Sequence, residues 1–142
     1  SYGIVWLAIA ALAAVLLRRP LVFPLVVIAY FAASAASDLI KLAVGRARPV
    51  DHPLVSEPAT SSFPSGHAAT SFACAATLAR FAPSRTQQVL LFVLAAAISW
   101  SRVYVGVHYP LDVLAGAALG LLIATALNFS LARFAFRSGS RA

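Results

Sequence analysis

Two histidines stand out in a chain otherwise poor in reactive groups: His108, four residues before Asp112, and His67, which closes the run Pro64-Ser65-Gly66-His67. The spacing of four puts His108 and Asp112 on one helical face or around its first turn, beside Pro110. A carboxylate so placed can hold one ring N–H, fix the tautomer and leave the other ring nitrogen bare to attack phosphorus. Lys41, Arg48 and Arg102 add three cations. A phosphoryl group in flight carries its charge on equatorial oxygens, so its chemistry needs mainly positioning and fixed positive charge, and Arg offers a planar fork for bidentate contact. The Pro64 to His67 run follows Thr60, Ser61 and Ser62 and precedes a long apolar stretch, so it reads as a helix start with Pro in the first turn. Free amides there, Gly66 for close backbone approach and the Ser65 hydroxyl together make an anion site. The plainer alternatives are an i,i+4 ion pair at a helix end for His108 and Asp112, and a histidine capping a neighbouring carbonyl for His67.

The elements that must position these groups are apolar. Of the 142 residues 61 % are hydrophobic and 11 % charged, and the mean hydropathy of +0.88 lies outside the range of a soluble globular domain. The expected fold is an all-α, polytopic transmembrane bundle forming a single domain over residues 1–142, with about five spanning helices at roughly 2–17, 21–44, 66–82, 88–107 and 111–132. The first stretch runs into Arg18, Arg19 and Pro20 instead of a small-residue cleavage site, so it reads as a short spanning helix and not as a secretory signal. The chain opens at Ser1 and contains no Met, which leaves room for a preceding segment. Cys74, the one cysteine, excludes an internal disulfide and reads as packing. Gly116 and Gly120 form a G-x-x-x-G that permits close helix packing. Together with Ala95, Ala96, Ala97, Ala117 and Ala118 they could instead leave a groove for a lipid chain.

The net charge of +7 does not indicate nucleic acid, because basic residues of a membrane protein mostly flank its helices and the aromatics here lie inside apolar runs. With alternating helices, Arg18, Arg19, Arg80, Arg85, Arg133, Arg137 and Arg141 fall on one face, and Lys41, Arg46, Arg48 and Arg102 on the other. The majority face is expected to be cytoplasmic. All four acids, Asp38, Asp51, Glu57 and Asp112, share the minority face, which marks those cations as a site. The polar segment Gly45 to Ser65 belongs to the same face. Within it His52 and Glu57 read as solvated loop, and Arg46 as a headgroup contact or a surface residue. Asp38 can orient or neutralise Lys41, and Ser101 can serve helix packing or support Arg102.

Three patterns thus occur in order: Lys41-x6-Arg48-Pro49, Pro64-Ser65-Gly66-His67 and Ser101-Arg102-x5-His108-x3-Asp112, separated by 14 and 33 residues. The triple resembles the type 2 phosphatidic acid phosphatase superfamily, in its membrane lipid phosphatase branch, over about residues 41–112. The resemblance implies a lipid phosphate or diphosphate phosphatase with a phosphohistidine on His108, oriented by Asp112, and with His67 as general acid to the leaving oxygen. It implies Lys41, Arg48, Ser65, Gly66 and Arg102 as phosphate ligands, no metal and no cofactor. Polyprenyl diphosphate or a phosphatidate-type lipid is the expected substrate, in a bacterial plasma membrane with the site facing the periplasm or exterior. Members of this branch usually have six spans, the first pattern following the third; here it follows the second, as expected if the family's first helix is lost or omitted. Vanadate-dependent haloperoxidases share these residues but are soluble. A non-catalytic lipid-phosphate-binding or transport protein is the alternative from another class, and a metallophosphatase is disfavoured because the carboxylate cluster that Mg²⁺ prefers is missing from the sequence.

Overall fold

The structure is a computed structural model that describes residues 2–49 and 60–139, with side chains from residue 3 through residue 130. Asp51, His52 and Glu57, and the side chains of Arg133, Arg137 and Arg141, lie outside the described residues. Five helices follow one another: α1 Tyr2–Leu16, α2 Val22–Val44, α3 Gly66–Ala79, α4 Arg85–Tyr104 and α5 Pro110–Gly139. Every apolar stretch of the sequence becomes a helix. Three of them, α2, α4 and α5 as far as Ser130, are long and apolar enough to cross a bilayer. The 15 residues of α1 and the 14 of α3 rise only about 22 and 21 Å, so these two are shorter than the hydrocarbon core, as the sequence suggests for the first of them.

The shortness of α3 is explained by its place. It touches each of the other four helices, and its sequence, GHAATSFACAATLA, is almost entirely small. Between helices in lipid there is little hydrophobic drive, so association rests on close backbone approach and van der Waals contact. Ala68, Ala69, Ala73, Cys74 and Ala75 are fully buried, and Cys74 belongs to a cluster with Trp6, Val22, Val26 and Leu78, in agreement with the packing role read from the sequence. Trp6 donates its indole N–H to Ser71 Oγ at 3.1 Å, tying α1 to α3. On the other side, a Cβ on Gly116 would overlap the Ser65 carbonyl oxygen, and one on Gly120 that of Ala69. The glycine pair therefore brings α5 against the backbone of α3. Ala95 is likewise buried in the core, so packing accounts for it and for the glycine pair, whereas Ala96, Ala97 and Ala118 lie exposed on the outer faces of α4 and α5.

Helix ends depart from the sequence reading for local reasons. A capping box between Ser84 and Gln87 starts α4 at Arg85, so its first turn is polar and precedes the apolar stretch. Charges at Arg133 and Arg137 end the apolar run of α5 but not its helix, which continues to Gly139. Antiparallel chain direction gathers the ends of α1 and α3 with the start of α4 at one pole, where Leu16, Leu17, Ala82, Pro83 and Gln87 border an apolar cleft of about 360 Å³. Arg80 reaches the Asn128 carbonyl at that pole. None of the candidate chemistry lines this cleft; it lies at the opposite pole.

Candidate functional site

The site begins where α2 ends. Gly45 takes φ +62°, the left-handed cap that glycine adopts without strain, and its N–H bonds to the Lys41 carbonyl. The chain then leaves the helix carrying Arg46 and Arg48, and is fastened to the lead-in of α3: Ser62 N–H donates to the Arg46 carbonyl at 2.9 Å and Ser62 Oγ to the Ala47 carbonyl at 3.0 Å. Ser65 is the N-cap of α3, its buried hydroxyl oxygen facing the Ala68 N–H at 3.5 Å. The helix starts at Gly66, so Pro64 precedes the cap and does not lie in the first turn as the sequence reading had it. Ser65 N–H in turn donates to the Asp112 carbonyl at 2.9 Å, joining α3 to the first turn of α5. From α4, the Arg102 carbonyl accepts from both Val107 and His108 N–H at 3.2 Å, with Gly106 at φ +76° reversing the chain between them. Backbone hydrogen bonds therefore hold the three sequence patterns together at one pole.

His108 is 3 % exposed and Asp112 fully buried. His108 Nδ1 lies 3.6 Å from Asp112 Oδ2, longer than a hydrogen bond. On the other side of the ring, Arg48 Nη1 lies 3.3 Å from His108 Nε2. A guanidinium can only donate, so this contact makes Nε2 the nitrogen with the lone pair and leaves the ring proton on Nδ1, toward the carboxylate. Arg48 is held in place by the Val107 carbonyl at 3.0 Å, the Thr60 carbonyl at 3.0 Å and Thr60 Oγ1 at 3.1 Å. Arg102 is 7 % exposed, with Nε on Ser101 Oγ at 3.2 Å; that hydroxyl donates to the Ile98 carbonyl at 2.6 Å, the supporting role foreseen for Ser101. Lys41 Nζ would be 3.5 Å from a Cβ on Gly66, so its ammonium lies over the start of α3. Asp38, mostly exposed, pairs with it at 3.6 Å. His67 is the second residue of α3 and half-buried, at the same pole.

Two nearby residues, Ser37 and Thr60, were not foreseen as part of the site, and for Arg46 the contacts were not. Ser37 Oγ, fully buried with no hydrogen-bond partner in the described structure, would be 3.4 Å from a Cβ on Gly66. Its position four residues before Lys41 was the available signal. Thr60 clasps Arg48 from a Thr-Ser-Ser run that was read only as a helix lead-in. Arg46 donates from Nη1 to Asp112 Oδ1 at 2.8 Å, and its guanidinium lies over the Tyr109 ring, 4.3 Å from the centroid. With its side chain 36 % exposed and paired to Asp112, it is not a free surface residue.

Fold and site together define an all-helical membrane protein with a cluster of cationic and histidine side chains at one pole. The chain belongs to the PAP2 superfamily, whose model matches residues 21–134. It is 35 % identical over 121 residues to an undecaprenyl-diphosphatase of Sulfolobus acidocaldarius, covering 82 % of this chain and 58 % of that protein. It is 39 % identical over 123 residues to a decaprenylphosphoryl-5-phosphoribose phosphatase of Mycobacterium tuberculosis, covering 83 % and 67 %. Among solved structures, it is similar to the transmembrane PAP2-type phosphatidylglycerolphosphate phosphatase of Bacillus subtilis, with a TM-score of 0.74, 27 % identity and coverage of 91 % of this chain and 68 % of that one. The chain thus spans roughly three-fifths to two-thirds of the length of these relatives.

Proposed function

We propose that this chain carries the activity of an integral-membrane phosphatase that hydrolyses a lipid phosphate or diphosphate through a phosphohistidine on His108, without a metal ion. The observation that carries the reading is the contact of Arg48 with His108 Nε2 at 3.3 Å. It identifies Nε2 as the ring nitrogen that carries the lone pair, and sets beside it a cation able to move onto an equatorial phosphate oxygen when substrate enters. In the first step Nε2 attacks phosphorus and the bond from phosphorus to the leaving oxygen breaks, with His67 supplying the proton. In the second, water attacks the phosphohistidine, gives a proton to His67, the P–N bond breaks and inorganic phosphate departs. Asp112 stabilises the charge that the ring acquires. Lys41, Arg102, Ser65 and the amides at the start of α3 hold the phosphate oxygens.

The substrate reading rests on depth. Trp100 and Tyr104 are 63 % and 77 % exposed on α4, one on each side of the inward Arg102, and such rings are enriched at headgroup level. A phosphate at that depth can reach the site laterally while its tails stay in the bilayer. Several cations and a helix N-terminus exceed what one monoester dianion requires, which favours a diphosphate. The two relatives named for polyprenyl-linked phosphates support a polyprenyl diphosphate over a phosphatidate-type lipid. The test compares phosphate release, as kcat/KM, from a polyprenyl diphosphate, phosphatidate, phosphatidylglycerophosphate and a short-chain soluble phosphate, with purified protein in one detergent and EDTA present. The polyprenyl diphosphate is expected to lead. A soluble phosphate matching the lipids would sink lateral access, phosphatidate leading by about tenfold or more would reverse the substrate choice, and no turnover of any would favour a binding protein.

The sorting of basic residues supports a site on the periplasmic or outer face of a bacterial plasma membrane. Single cysteines at Glu57 and Gln87 should label from opposite sides with an impermeant reagent, the former from outside. Labelling of both from one side would refute the orientation.

A further inference from the structure

We propose that Arg46 is a positioning residue of the reaction, acting through Asp112 on His108, and not a contact to substrate. The inference rests on the functional reading above but comes from a different observation. Asp112 has no exposed surface, and a carboxylate so enclosed needs a compensating charge. Arg46 Nη1 supplies it at Oδ1, 2.8 Å away, while Oδ2 accepts the Tyr109 N–H at 2.9 Å, as a carboxylate in a helix's first turn commonly does at the N-cap. Oδ2 is also the oxygen that His108 Nδ1 faces. The two donors together fix the rotation of the carboxylate, so that one oxygen is committed to Arg46 and the other to the histidine side. Arg46 is itself restrained from two directions, by the Tyr109 ring and by the hydrogen bond from Ser62 to its carbonyl. Arg48 holds the opposite edge of the imidazole. Two arginines two residues apart thus divide the work: Arg48 meets the ring nitrogen that reacts, and Arg46 holds the carboxylate that orients the other.

A residue that acts only through Asp112 should lose its effect when Asp112 can no longer act, so a double-mutant cycle in kcat decides the matter. Arg46→Gln is expected to lower kcat about 10- to 100-fold, the usual worth of a group that orients a functional side chain, with KM within about twofold of the parent. In an Asp112→Asn background the same change is expected to cost less than about threefold. Arg46→Lys should recover most of the lost kcat, because an ammonium can still pair with Oδ1. A multiplicative loss in the double variant, or a raised KM at unchanged kcat, would show direct contact with substrate and overturn the proposal. If Arg46→Gln does not yield folded protein, Arg46→Lys carries the cycle: its smaller loss must also vanish in the Asp112→Asn background, and persistence there overturns the proposal. His108→Ala, measured alongside, separates the two levels, since an active His108→Ala defeats the functional reading, whereas an inactive one with an additive cycle defeats only the role of Arg46.

Discussion

His108→Ala is expected to abolish lipid phosphate hydrolysis, by at least about 10⁴-fold in kcat, as removal of a nucleophile generally does when only binding and charge stabilisation remain. Alanine supplies no electron pair to phosphorus, and the neighbouring groups that could hold a phosphate cannot replace it. Arg48 and Arg102 have no lone pair to offer, and Asp112 is fully buried with Oδ1 and Oδ2 engaged by Arg46 and Tyr109. Asp112→Asn is expected to leave measurable turnover, because it removes orientation and charge but keeps the attacking nitrogen; the side-chain amide also no longer pairs with Arg46 as an ion. A rapid quench into alkali during turnover should trap radiolabelled phosphate on the wild-type chain in an acid-labile, base-stable linkage. No label should appear on His108→Ala. Near-normal activity of His108→Ala would refute the assignment, and label retained at another residue would move the nucleophile.

How much of this was legible beforehand depends on what set each feature. The five helices were visible because lipid exposure demands continuous apolar runs, and each run met a Pro, Gly or charge at its ends. The length of α3 was not, because enclosure by four helices, and not bilayer thickness, decides how long that helix must be. Gly116 and Gly120 could be read as a close-packing signal, but the partner, the α3 backbone at Ser65 and Ala69, is a long-range fact that spacing does not contain. The alternation of neighbouring helices was legible at the short links after α1, α3 and α4; which pole faces the cytoplasm rests on charge sorting alone.

At the site, residue types and order brought out Lys41, Arg48, Ser65, Gly66, His67, Arg102, His108 and Asp112, and the structure gathers the patterns that carry them at one pole. The sequence could not rank the two arginines of the first pattern. Arg46 and Arg48 have the same charge and nearly the same place, and only the folded structure shows that one meets the carboxylate and the other the imidazole. Ser37 was hidden for a different reason. A serine within an apolar helix usually bonds back to its own turn, and its lack of such a bond exists only in three dimensions.

The second large effect is expected at His67, and it should depend on what leaves. His67 sits at the second position of α3, one residue beyond Gly66, where the helix N-terminus faces the same pole as His108. A general acid there lowers the barrier by giving a proton to the oxygen that departs as the P–O bond breaks, and such transfer is worth about 10²- to 10⁴-fold. The benefit scales with how badly that oxygen needs the proton. A lipid alkoxide is a poor leaving group and should feel the full loss in His67→Ala, an aryl phosphate carries its own stabilised leaving group and should feel little, and a diphosphate should fall between them, because its leaving phosphate is less basic than an alkoxide. The ratio of wild-type to His67→Ala kcat/KM across these three substrates is therefore the measurement, and the falling order from alkyl to diphosphate to aryl is the expected result. An equal loss on all three would mean that His67 contributes charge or structure to the phosphate pocket and not a proton. The same series on His108→Ala should show no such gradient, since a missing nucleophile disables every substrate alike.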